Sequence, residues 1–366
     1  MKKKKILLLS DDLRMASGVG TVSKEFVLGT INKYDWVQIG GAIKHPDIGK
    51  VFDMKDDIRK EFPDVDNPYL MIYPTSGYGD PDLLRSLIVR EKPDALMIYT
   101  DPRFWVWLYQ MEHEIRSKIP IFYYNIWDDL PYPMWNEPYY ESCDLIMNIS
   151  KQTYNIVDNV RQNLPVNDWN NTYVPHGINQ DVFKPISIDD KGYQQFLKES
   201  KHPIDYYEFV VFYNARNIRR KLPGDVILAF STFVDMIPEE KRDKCLLLMH
   251  TSPVDENGTD LLAVADALAN DKMVQFSSGK LAPEQLNYLY NMADVTINLA
   301  SNEGFGLGTA ESVMAGTPMI VNVTGGMQDQ CGFALDGKYL TAEDYSDIHS
   351  LHDRKKWENN PKLTHG

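Results

Sequence analysis

Cysteine is nearly absent from this chain. Cys143, Cys245 and Cys331 lie singly across 366 positions. That spacing provides no paired site for zinc and no redox motif, and so sparse and odd a count suits a reducing compartment. Long apolar runs are missing as well: nothing approaches the roughly 20 residues that span a bilayer. Basic residues are in deficit, with 38 Lys and Arg against 52 Asp and Glu and a formal net charge of −14. This argues against a phosphate backbone as the main partner, while leaving room for a local basic site for a small phosphorylated ligand. Lys2 to Lys5 precede only a short apolar run, Ile6 to Leu9, and acidic residues follow at once. The start therefore does not read as a signal peptide, and a cytosolic protein is expected. What is present is ordinary: 43% hydrophobic and 25% charged residues, on a length that favours two domains with separate cores.

Short aliphatic runs, each followed by a polar loop and a helical pattern, recur along the chain. The first gives a strand at Ile6–Leu9, a loop with Gly18 and Gly20, and a helix from about Thr21. Further strands are expected at Val37–Ile39, Ala95–Tyr99, Ile121–Tyr124 and Leu145–Ile149, and Ser150 is placed to cap the helix through Val160. Solidly apolar strands alternating with helices mean parallel sheets covered on both faces. The pattern breaks in a polar, proline-containing stretch from Val174 and resumes with strands at Phe209–Tyr213, Cys245–Met249, Met273–Phe276, Asp294–Leu299 and Met319–Val323. Helices are expected at Pro223–Val234 and Pro283–Met292. The expected layout is a first domain over 1–185, a linker over 186–207, a second domain over 208–345 and a polar tail over 346–366. Two doubly wound α/β domains joined in this way would bound a cleft with the carboxyl ends of their strands, where ligands bind.

The segment "LASNEGFGLGTAESVMAGTPMIV", Leu299 to Val321, places Gly304, Gly306 and Gly308 between Glu303 and Glu311. It falls on a strand, a loop and a helix beginning near Gly308, which puts Glu303 on the loop and Glu311 in the first helical turn. Glycines here let backbone amides approach a ligand, and the helix start favours an anion. The glutamates would then accept hydrogen bonds from neutral hydroxyls such as those of sugar and ribose. A loose turn with Glu311 complementing the helix dipole is the plainer alternative. A second cluster, "FYNARNIRRKLPGD", sets Arg216 and Lys221 after a strand and before Pro223, a good first helical residue. Two fixed cations there would neutralise a diphosphate; a solvated basic loop is the alternative, and Arg219 and Arg220 read as extra surface charge.

The first of these segments resembles the glutamate–seven–glutamate signature of retaining, family-4-type glycosyltransferases (group 1), including Phe305, Gly306, Ala315, Gly316 and Pro318 around the two glutamates. The resemblance implies a GT-B fold, two Rossmann-like domains facing each other across a cleft, and transfer of a hexose from a nucleoside diphosphate sugar to an acceptor hydroxyl. It gives Glu303 to the donor sugar, Glu311 to the ribose, and Arg216 with Lys221 to the diphosphate. Gly304, Phe305, Gly306 and Leu307 would line the donor. "SGVG", Ser17 to Gly20, is similar to the family's glycine loop, whose Gly18 and Gly20 amides would reach the phosphate; it is not a dinucleotide fingerprint, since Ser23 stands where a third glycine belongs. "VPHGIN" with Phe183 and Pro185 resembles the segment leaving the first domain, and the stretch around Lys280 and Leu281 the one that meets the base. No metal or other cofactor is implied, and Asp64–Val65–Asp66 in a polar loop reads as incidental.

Two features depart from that pattern. Where many relatives carry a His-Asp pair, this chain has Trp127, Asp128 and Asp129, leaving Asp128 as the candidate facing the transferred sugar. Tyr124, Trp127, Tyr132 and Trp135 would stack on a sugar or pack a long loop, and His176 would line the cleft or serve structure. The polar ending "HDRKKWENNPKLTHG" reads as a short or truncated chain. The acceptor, whether glycan, lipid or small molecule, is open. So are three competing readings: a non-hydrolysing nucleotide-sugar epimerase, an inactive nucleotide-sugar-binding module, and glycosylation of DNA bases, which the charge disfavours.

Overall fold

Leu7, Leu8 and Leu9 are almost wholly buried, as a central strand of a parallel sheet requires. The computed structural model describes residues 2–42, 44–162, 170–200, 206–269, 272–335, 338–339 and 363–365. The chain divides into two units, one running to Gly177 and the other starting at Ile178, and each has a parallel sheet of its own.

In the first unit the strands are β1 (Lys4–Asp11), β2 (Tyr34–Ala42), β3 (Phe52–Asp53), β4 (Leu70–Ser76), β5 (Ala95–Tyr99), β6 (Ile121–Asn125), β7 (Leu145–Asn148) and β8 (Asn171–Tyr173). They lie in the order β3-β4-β2-β1-β5-β6-β7-β8, parallel except for β3. The chain winds outward from β1 through β2 and β4, then returns to the other side of β1 as β5. That reversal places a switch point between β1 and β5. Ser150 caps helix Lys151–Val160 as expected, its side chain accepting from Thr153 N. Helix Gly18–Thr30 starts earlier than the glycines suggested: Ser17 is its N-cap, so Gly18 and Gly20 form its first turn rather than a loop.

The second unit holds β9 (Phe209–Asn214), β10 (Cys245–His250), β11 (Val274–Ser277), β12 (Val295–Asn298) and β13 (Met319–Val321), all parallel, in the order β11-β10-β9-β12-β13. Its switch point lies between β9 and β12. Helix Pro283–Met292 has the expected bounds, and helix Pro223–Met236 runs two residues beyond them. A small antiparallel sheet joins Phe333–Leu335 to Lys338–Tyr339 and Leu363–His365.

The division after Gly177 precedes the expected boundary at 185 because Phe183 is buried in the second unit's core, edge-on to Tyr290. The stretch expected as linker contains helix Lys191–Glu199, whose Tyr193 and Phe196 pack on Tyr288. Its described residues thus belong to the second unit. Residues 340–362, with most of the expected polar tail, lie outside the described residues. No helix among the described residues is long and apolar enough to cross a membrane.

Candidate functional site

In the second unit the loops after β9 and β12 flank the switch point, where an open parallel sheet leaves a crevice at its carboxyl edge. Lys221 and Glu303 come from these two loops and are in direct contact through Nζ and Oε2. Both side chains are nearly buried, 12% and 11% exposed, so their charges attract with little screening by water. Arg220, read from sequence as surface charge, belongs here: its Nη1 donates to the Asn302 carbonyl at 2.6 Å and lies 3.5 Å from Glu303 Oε2. Its own carbonyl accepts from Ser301 N. Arg216 is on the same loop but pairs with Asp255, Nε to Oδ2 at 2.9 Å, and stays largely exposed. Lys221 and Arg220 thus meet at Glu303, while Arg216 on the same loop is held by Asp255.

Each glycine of the quoted segment that the geometry explains has its own reason. Gly306 is the N-cap of helix Leu307–Ala315 at φ 88°, a left-handed conformation costly for other residues. At Gly308 a Cβ would come within 3.3 Å of both the Asn214 carbonyl and the Tyr290 hydroxyl. The loop is also clamped from behind, a device not read from sequence. Gly326 N donates to the carbonyls of Glu303 and Gly304, and Gln330 donates to that of Phe305 at 2.6 Å. A Cβ on Gly325 would overlap the Glu303 carbonyl at 1.6 Å.

Glu311 lies one residue further into the helix than expected, at its fifth residue. It takes a hydrogen bond from the Tyr290 hydroxyl at 2.8 Å, and burial pushes its carboxyl up to about 7 against the pull of that bond. Lys280 is exposed beside Gly279, while Leu281 packs against the core cluster around Tyr290. Helix-start amides, two cations and two carboxylates are thus gathered at one sheet edge. That set can hold an anion and accept hydrogen bonds from hydroxyls.

In the first unit the sequence-predicted groups are more dispersed. The Gly20 amide donates to Ser17 Oγ, so it is engaged in capping its helix, and Gly18 is exposed. Asp128 follows β6; its carbonyl accepts from Gln152 Nε2 and its side chain is half-buried. Among the aromatics, Tyr124 is core and bonds His176 Nδ1 at 2.7 Å, while Trp135 is 61% exposed and edge-on to Trp127. His176 also bonds Tyr99, and burial lowers its pKa to about 3, which keeps it neutral and structural. At the first unit's own switch point sits a network that sequence reading did not find. Asp12 takes hydrogen bonds from Arg14 and His45, and Asp11 from Ser17 and Tyr78. Asp47 N donates to His45 Nδ1, so it is Nε2 that His45 presents to Asp12.

Residues 195–364 match the family described as Glycosyl transferases group 1. A D-inositol 3-phosphate glycosyltransferase of Corynebacterium jeikeium is 26% identical over 174 residues, 48% of this chain and 40% of that protein. An alpha-monoglucosyldiacylglycerol synthase of Acholeplasma laidlawii is 27% identical over 186 residues, 51% of this chain and 43% of that one. These matches span less than half of each curated relative's length. In three dimensions, Anabaena HepE crystallised with UDP and glucose superposes with a TM-score of 0.64 at 12% identity, over 98% of this chain and 93% of that one. The chain has the GT-B fold, and its residues 195–364 are similar to the group 1 glycosyltransferases.

Proposed function

We propose that this protein is a retaining glycosyltransferase that moves a hexose from a nucleoside diphosphate sugar to an acceptor hydroxyl. The observation that carries this reading is the second unit's switch point, where Lys221 and Arg220 meet Glu303 beside a glycine-started helix. Lys221, Arg216 and the amides at the start of helix Leu307–Ala315 stabilise the diphosphate as it departs, and Glu303 accepts hydrogen bonds from the sugar. Electrostatic stabilisation of this kind, in place before reaction, is the main source of rate. Glu311 accepts from the ribose. The departing phosphate takes the acceptor's proton on the face it leaves, so the anomeric configuration is kept without an opposed base. These cations replace a metal, and activity is expected to survive a chelator. The names of the two curated relatives, one for inositol 3-phosphate and one for a glucosyldiacylglycerol, support a hydroxyl-bearing acceptor. UDP and glucose in the HepE crystal support a nucleotide-sugar donor.

The test is turnover of a panel of nucleoside diphosphate hexoses, with proton NMR of the fresh product. An α product from an α donor is expected. A β product would mean that a base acts from the opposite face, with Asp128 the first residue to replace. Turnover abolished by EDTA and restored by manganese would assign the diphosphate to a metal instead.

A further inference from the structure

Tyr290 lies on helix Pro283–Met292, has no exposed surface, and is gripped edge-on by Phe212 and Phe183. Its hydroxyl joins three elements. Asn214 Nδ2, at the end of β9, donates to it at 2.8 Å, and it lies 2.8 Å from Glu311 Oε2 on helix Leu307–Ala315. An amide N–H can only donate, so the phenol's single proton is directed to Glu311. The missing side chain at Gly308 permits this junction, because a Cβ there would press on the same hydroxyl. With Oε2 occupied from the buried side, the second oxygen of Glu311 is left for a ligand.

We propose that Tyr290 is the positioning residue of the donor site, orienting Glu311 and holding it ready as the hydrogen-bond acceptor for the donor's ribose. The inference rests on the donor reading above. A buried carboxyl favours its neutral form, and a hydrogen bond donated to it favours the charged one. Burial takes Glu311 to about 7 even with the Tyr290 bond present. Among the described residues no other charged or titratable group acts on that carboxyl, whether from β9, β12, β13 or helix Gly325–Cys331. Removing the hydroxyl therefore leaves Glu311 protonated at neutral pH, and a neutral acid is the weaker acceptor.

The experiment uses the full chain and Tyr290→Phe, which keeps the ring and deletes the hydroxyl. Carbon-13 NMR of labelled glutamate carboxyls, with Glu311 assigned by Glu311→Gln, reads the ionisation midpoint without any ligand. The midpoint is expected to rise by about one pH unit or more, the scale of losing a hydrogen bond to a charged group. Calorimetry with UDP, GDP and ADP then follows affinity across pH. The Tyr290→Phe curve is expected to move to higher pH by the same amount, about tenfold weaker near neutrality and recovering in alkali. An unmoved midpoint, or an equal loss at every pH, would reduce Tyr290 to packing and overturn the proposal. If the midpoint moves but the wild type binds none of these nucleotides, the donor reading fails while the Tyr290–Glu311 coupling stands. Should Tyr290→Phe not fold, Asn214→Ala frees the hydroxyl to rotate and should shift the midpoint the same way by less; no shift there would equally refute the coupling.

Discussion

The two sheets present their switch points differently, although both are parallel and both gather polar residues at their carboxyl edges. In the first unit those residues satisfy one another. Burial pushes Asp12 up, yet hydrogen bonds from Arg14 and His45 outweigh it and the carboxyl ends below its usual range. Gln38, also buried, donates to Ser10 Oγ and to the Asp11 carbonyl. In the second unit Glu311 has one side-chain donor among the described residues and remains raised to about 7, and the Lys221–Glu303 pair stands beside helix-start amides. A closed network holds loops in place. An incompletely satisfied one is what a ligand completes, and that contrast supports the donor site proposed in the second unit.

The largest expected effect breaks the closed network. Asp12→Ala leaves Arg14 and His45 without their buried acceptor and should cost the first unit about 3–5 kcal/mol, the range for removing one partner of a buried pair. Chemical denaturation measures it, and nucleotide binding at the second unit should be unchanged. Next comes Lys221→Ala, expected to lower turnover by about two or more powers of ten, since it removes a partner of the departing charge. Equal turnover would take Lys221 out of the site.

A third pair of variants sharpens the contrast through pH. Glu311 has a raised carboxyl, so the unfolded chain ionises first as pH rises from 4.5, and stability falls until about 7. Glu311→Gln should remove that slope and raise stability above neutrality by up to about 3 kcal/mol while weakening nucleotide binding. His176 has the opposite sign. It is lowered from 6.5 to about 3, so the unfolded chain gains a proton first and stability falls as pH drops below 6.5. His176→Gln should flatten that acid limb. Thermal unfolding across pH reads both, and slopes of one sign in the two variants would contradict the assignment. The smallest effect belongs to Arg220→Ala, which loosens the Ser301–Glu303 loop but leaves Lys221. Turnover should fall by less than about tenfold, the worth of a partly exposed ion pair.

Much of the fold was legible because apolar runs with clear borders have few alternatives. Ala95–Tyr99 is bounded by polar residues and appears with those limits, and Pro283 opens its helix as its fixed φ favours. β4 escaped notice because Pro74 sits inside "LMIYPTS", although it pairs in register with β2 through that residue. Gly18 and Gly20 read as loop because glycine weakens helices, whereas the Ser17 cap and the close approach at Gly20, where a Cβ would meet the Met15 carbonyl at 2.7 Å, decide otherwise. At the candidate site, Lys221, Glu303 and Glu311 were visible in spacing and motif. Arg220 was not, because charge content does not show which of three adjacent basic residues turns inward. Tyr290 was hidden because it meets Glu311 across 21 residues and Asn214 across 76, and a tyrosine on a helix otherwise reads as core.

The central claim, a nucleotide-sugar site built at the second unit's switch point, is tested most directly by calorimetric titration with UDP, GDP and ADP. Wild type, Lys221→Ala and Glu311→Ala are compared at neutral pH. At least one nucleotide should bind the wild type, and both variants should weaken it, with the first unit's Asp12→Ala binding as wild type does. Binding that neither variant weakens, or that Asp12→Ala abolishes while leaving the chain folded, would contradict the assignment.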